Sequence, residues 1–102
     1  MSLRPPQNTS SSFDRGVRPS AIDMEIIAEM AATLGRAGQK VELTLERLRV
    51  APEDERAVHL KAAARAVHAY FIQRELCGLR KHDDAINHYA IPRAVLVRLG
   101  AD

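Results

Sequence analysis

Residues 27–76 read IAEMAATLGRAGQKVELTLERLRVAPEDERAVHLKAAARAVHAYFIQREL, and this stretch decides the fold. Ile27, Met30, Leu34, Ala37, Val41, Thr44 and Leu48 follow in alternating steps of three and four, the seam of a helix packed along one side. Ile26 and Leu45 widen that seam. Gly35 and Gly38 fall inside it, and each costs up to about 1 kcal/mol relative to Ala in a helix. The seam keeps its phase across both, so one continuous helix is expected, with the glycines letting a neighbour approach closely. Ser20 follows Pro19 and precedes Asp23 by three residues, a capping-box variant with Asp in place of Glu, so the helix should start there. Ala51 and Pro52 close it and open a second. That one has an acidic first turn at Glu53, Asp54 and Glu55 and a basic end at Arg80, Lys81 and His82. Helices over 20–50 and 53–82 joined so briefly should form an antiparallel hairpin.

Folding the hairpin at 51 and 52 sets Leu34 level with Ala69, Val41 with Ala62 and Ile27 with Leu76. It also sets Gly35 and Gly38 opposite the alanine-rich stretch 65–69, which would suit a close helix contact. The face of the second helix turned to the first is then Val58, Ala62, Ala69, Ile72 and Leu76. That leaves Leu60, Val67, Tyr70 and Phe71 as surplus apolar surface, wider than a helix covered on one side needs. A homodimer joined through those four residues, a four-helix bundle of two hairpins, is the expected remedy. Short helices over 84–89 and 92–99 complete the chain: Asp83 and Asp84 can cap the first, Pro92 can open the second, and Gly100 stops it. Ile91 precedes Pro92 and should be extended. Residues 1–19 hold Pro5, Pro6, Gly16, Pro19 and the run Ser10, Ser11, Ser12, and read as a disordered tail whose only anchors are Phe13 and Val17. The fold class is therefore all-α, a single helical domain over 20–102 behind a tail.

Composition agrees. With 46% hydrophobic residues the chain can build a core, and with 4% aromatics and no Trp that core must be aliphatic and alanine-rich. The excess of two positive charges is small for a nucleic-acid binder. Cys77 is the only cysteine, which rules out an internal disulfide and fits a reducing, cytoplasmic compartment. The start Met1–Pro6 has no apolar run of a secretory leader, and no stretch reaches the roughly 20 apolar residues of a membrane span.

The residues that could carry chemistry have simpler explanations. His59 and His68 lie on opposite faces of one helix, and no histidine has Glu three residues before it, so no metal site or other cofactor is expected among His59, His68, His82 and His88. Cys77 sits in a largely apolar helix with no accompanying His and Asn arrangement, as a small buried hydrophobe would. The acidic groups Glu53–Glu55 and Asp83, Asp84 stand where helix starts attract carboxylates. The short helices within 83–99 have the outline of a helix-turn-helix carrying Arg93 and Arg98. Residues 81–102, however, balance Lys81, Arg93 and Arg98 against Asp83, Asp84 and Asp102, a poor match to a polyanion.

The run YFIQRELCGLR at 70–80, followed by HYAIPR at 88–93, resembles small alphaproteobacterial proteins of a domain-of-unknown-function family, over roughly the C-terminal third. The resemblance implies no activity. It does imply a polar cluster of Gln73, Arg74, Glu75 and Arg80 beside the hairpin, for which an ion-pair network tying down the C-terminal segment is the plainest role. The expected function is a non-catalytic protein-interaction or assembly module, not an enzyme, with a second copy or an unidentified protein as partner. A small DNA-binding regulator using the 83–99 helix pair is the alternative.

Overall fold

The computed structural model describes residues 20–101. They form α1 (Ala21–Val50), a 3₁₀ turn (Glu53–Glu55), α2 (Arg56–Leu76), α3 (Asp83–Tyr89) and α4 (Arg93–Leu96), with no strand among the described residues. The class is all-α. The tail expected over 1–19, with Phe13 and Val17, lies outside the described residues. The chain divides into two units, residues 1–30 and 31–102, and α1 runs unbroken through the boundary.

In the first unit, α1 begins with the reciprocal cap legible in the sequence. The Asp23 amide donates to Ser20 Oγ at 3.1 Å, and the Ser20 amide donates to Asp23 Oδ2 at 3.3 Å. Residues 21–29 are all exposed.

The second unit holds the core. From α1 it takes Val41, Leu45 and Leu48, with Leu34 and Ala37 half-buried against them. Thr44 fills its slot in the seam without an orphaned hydroxyl, because Oγ1 donates back to the Lys40 and Val41 carbonyls at 2.8 and 3.1 Å. From α2 come Leu60, Ala63, Ala64, Ala66, Val67, Tyr70 and Phe71. α4 packs on α2 and buries Val95 fully, while Ala85 on α3 and Ile91 in the segment after it complete the core.

The buried side of α2 is not the one expected. Val58, Ile72 and Leu76 are 45–70% exposed, and Ala62 and Ala69 face solvent too. The pairings of Leu34, Val41 and Ile27 with Ala69, Ala62 and Leu76 are therefore not what covers these residues. The reason is area. The stripe with Leu60, Val67, Tyr70 and Phe71 contains both aromatics of the helix, and an aromatic side chain removes more apolar surface from water than the alanines of the competing stripe.

Two helix ends also differ from expectation. α2 stops at Leu76 rather than continuing to 82, because Gly78 adopts φ +92°. The Leu79 amide then reaches the Arg74 carbonyl at 2.9 Å and the Gly78 amide the Glu75 carbonyl at 3.0 Å, the paired bonds of a Schellman stop. α4 is four residues, not eight, and dissolves into turns up to Gly100. α3 ends in the same paired pattern as α2, with Ala90 at φ 53°, followed by the buried Ile91 before Pro92.

Only one of the helix glycines is needed for a close approach. A Cβ on Gly38 would stand 2.7 Å from Tyr89 Oη and 3.4 Å from Tyr70 Cε1, so the neighbours it admits are two tyrosine rings rather than the alanines of 65–69. A Cβ on Gly35 meets nothing within 4 Å. Gly35→Ala should therefore stabilise the chain by up to about 1 kcal/mol in chemical denaturation. Gly38→Ala should destabilise it by about 1–2 kcal/mol, since the Tyr89 hydroxyl must move. In a Tyr89→Phe background the nearest Tyr89-derived atom is the ring carbon at 3.7 Å, and Gly38→Ala should become neutral or stabilising. Equal effects of Gly38→Ala in both backgrounds would contradict this packing.

Candidate functional site

The end of α2 carries a polar cluster around Arg74. The side chain is buried at 8% exposure because the helix turns it inward on the same face as Val67, Tyr70 and Phe71. Its charge is accommodated by acceptors drawn from the chain just beyond the helix. Nε donates to His82 Nδ1 at 3.1 Å, and Nη2 donates to the Lys81 carbonyl at 2.8 Å and to Asp84 Oδ1 at 3.3 Å. The guanidinium also stands 5.8 Å from the Tyr70 ring centroid, within cation–π range. The Gly78 stop makes this possible by turning the chain so that 81–84 come back beside Arg74.

His82 is held on three sides. Its ring stacks on Phe71 at 4.1 Å between centroids and 3° between planes. A guanidinium can only donate, so Nδ1 is the acceptor, and the ring proton belongs on Nε2, which donates to Glu75 Oε2 at 2.9 Å. Both ring nitrogens are thus engaged within the chain and one ring face is covered. Asp84 Oδ1 also accepts from the Ala85 amide at 3.0 Å, joining the first turn of α3 to Arg74.

A second cluster lies where Gly38 opens α1. Tyr89 packs edge-on against Tyr70 at 5.6 Å. Burial, a hydrogen bond with Tyr70 and the nearby charges of Tyr70 and Glu42 push the Tyr89 phenol above the ordinary tyrosine range, with Arg74 acting the other way.

The family profile of a family of unknown function, DUF6665, matches residues 1–102. The chain belongs to that family. A family of unknown function, expected from the C-terminal third of the sequence, thus covers the whole chain. No curated protein and no solved structure matches it.

Of the residues expected in a polar cluster, this member of the DUF6665 family brings together Arg74 and Glu75. Gln73 is half-buried and Arg80 exposed, and neither bonds to Arg74 or His82. His82 and Asp84 complete the cluster. In the sequence they looked like helix-end residues, and the clue to their return was Gly78. Leu60, Val67, Tyr70 and Phe71, expected at a dimer interface, are 0–8% exposed within one chain. They are already spent in the chain's own core, so a bundle of two hairpins has no free stripe there.

No group of three or more His, Cys, Asp or Glu side chains among the described residues could hold a metal ion. His59 stands 3.7 Å from Glu55, one turn before it, and Cys77 is half-buried at the end of α2. α4, the second member of the possible helix-turn-helix, spans only about 6 Å at 1.5 Å per residue, and Val95 on it is fully buried. No helix among the described residues is long and apolar enough to cross a membrane. A hollow of about 500 Å³ beside the cluster has Arg74, Arg80, Lys81, Asp83 and Asp84 in its wall, charges of both signs that select no ligand by electrostatics.

The cluster should matter to stability through Arg74. Arg74→Met leaves His82 Nδ1 and the Lys81 carbonyl without their donor and should cost about 2–3 kcal/mol. Arg74→Lys should cost nearly as much, because one ammonium cannot reproduce the bonds from Nε and Nη2. Asp84→Asn, at a side chain 86% exposed, should stay within about 1 kcal/mol. Urea denaturation of the three variants checks the order, and a neutral Arg74→Met would contradict it.

Proposed function

We propose that the chain is a non-catalytic assembly module that pairs with a second copy of itself, and that pairing uses the first third of α1. The observation that carries this reading is the exposure of Ile22, Met24, Ile26 and Ile27, at 43–67%, within a helical stretch that buries none of residues 21–29. Ile22, Ile26 and Met30 lie turn over turn on one side of the helix, and Ile27 widens the stripe. A helix bathed in water gains nothing from such a stripe. Against a partner, each fully buried Ile contributes about 1.5–3 kcal/mol.

A second copy is the simplest occupant, since two-fold pairing of one patch with itself is the commonest form of self-association. In this reading α1 and α2 form an antiparallel hairpin whose core steadies α1 while its N-terminal stripe pairs. The engagement of both His82 ring nitrogens supports a structural role for the most reactive-looking cluster. The lone Cys77 fits a cytoplasmic setting.

Sedimentation equilibrium of the full chain at micromolar concentration should give a dimer. The pair Ile26→Glu and Ile27→Glu should give a monomer with unchanged helical circular dichroism. An unaltered chain that sediments as a monomer would overturn the reading.

A further inference from the structure

The connection between α2 and α3 is fastened to Arg74 in part through a titratable ring nitrogen. Arg74 Nε donates to His82 Nδ1 at 3.1 Å, and the donor cannot give up its proton, because a guanidinium stays charged at any pH the chain meets. We propose that His82 is a pH-operated latch: protonation of Nδ1 replaces the acceptor by a charged donor, expels the Arg74 Nε–H and loosens residues 79–91 from the end of α2.

The groups that face the ring decide the direction. From α2 they are Arg74, Glu75 and the Phe71 face; from the connection, Lys81, whose carbonyl Arg74 Nη2 already holds; from the start of α3, Asp84, bound to the same Nη2, with Asp83 beside it. Glu75 accepts from Nε2–H whether or not Nδ1 is protonated, and its side chain is 54% exposed, so water damps what it gains from the added charge. Arg74 has no such relief. Its side chain is 10% exposed, Nη2 holds the Lys81 and Asp84 oxygens, and an expelled Nε–H is a buried donor without an acceptor. The stack on Phe71 survives, because a cationic ring still attracts an aromatic face. What is lost is one of the three bonds that join residues 81–84 to the buried arginine, the one made by Nε. The segment beyond it brings Ala85, Ile91 and the half-buried Ile86 and Tyr89 to the core, so loosening it uncovers apolar surface on α2.

Nitrogen-15 NMR of the full chain tests this, followed stepwise as the pH is lowered from about 8 until the His82 ring is protonated. At the upper end His82 should be the Nε2–H tautomer, with the Arg74 Hε proton protected from exchange. As His82 takes up its proton, that protection should vanish. Amide protection factors across 79–91 should then fall about tenfold relative to those of residues 41–48, as loss of one charge-assisted bond implies. In His82→Asn the amide oxygen can accept in place of Nδ1 and does not titrate, so the fall should disappear although His59, His68 and His88 remain. Unchanged protection across the His82 titration would overturn the latch, as would an equal fall in His82→Asn. An Nδ1–H tautomer at the upper pH would do the same in the unaltered chain, without any variant.

Discussion

Phe71 and its neighbours on α2 have to leave water, and most of the structure is arranged around that requirement. The chain has four aromatic residues in its 102, and Tyr70, Phe71 and Tyr89 all stand in or against one core. With so little aromatic area available, whichever stripe of α2 carries Tyr70 and Phe71 offers the greatest return from burial. The rest of α2 follows from that choice. Ala63, Ala64 and Ala66 are buried among the larger residues of the helix, and Val95 on α4, which packs on α2, is buried fully. On α1, Gly38 provides the gap into which the Tyr89 hydroxyl fits beside Tyr70.

The same face of α2 ends in a charge, and Arg74 is where packing meets polar chemistry. A guanidinium on this face stands with too few acceptors from its own helix, so the chain beyond Gly78 returns to supply them from Lys81, His82 and Asp84. Helix termination, the stacking of His82 on Phe71 and the start of α3 are therefore coupled. Breaking a buried charge away from its acceptors is costly even where forming the cluster gained little, so such a cluster favours one conformation more than it adds stability.

Much of this was legible in the residues. The Ser20–Asp23 cap, the unbroken α1 and the packing role of Thr44 follow from local rules that tertiary structure did not override. The need for a glycine at Gly38 was legible too, but not the identity of its neighbours, because Tyr89 arrives from a different element. The buried face of α2 was misread because Val58–Leu76 and Leu60–Phe71 are both apolar at helical spacing. Periodicity cannot choose between two such stripes, and side-chain area does. Of the polar cluster, Arg74 and Glu75 are visible on the helix, whereas His82 and Asp84 join only because of a turn whose one sequence signal is Gly78, just after Cys77.

The fold depends on Phe71 belonging to the core of its own chain, and isotope-filtered NMR on a mixture of labelled and unlabelled chains tests this most directly. Strong nuclear Overhauser effects should connect the Phe71 and His82 rings within one chain, as their centroid separation of 4.1 Å requires, with none from Phe71 across chains. Contacts of Phe71 that appear only between labelled and unlabelled chains would show that the aromatic face of α2 is an interface after all, and would contradict the account.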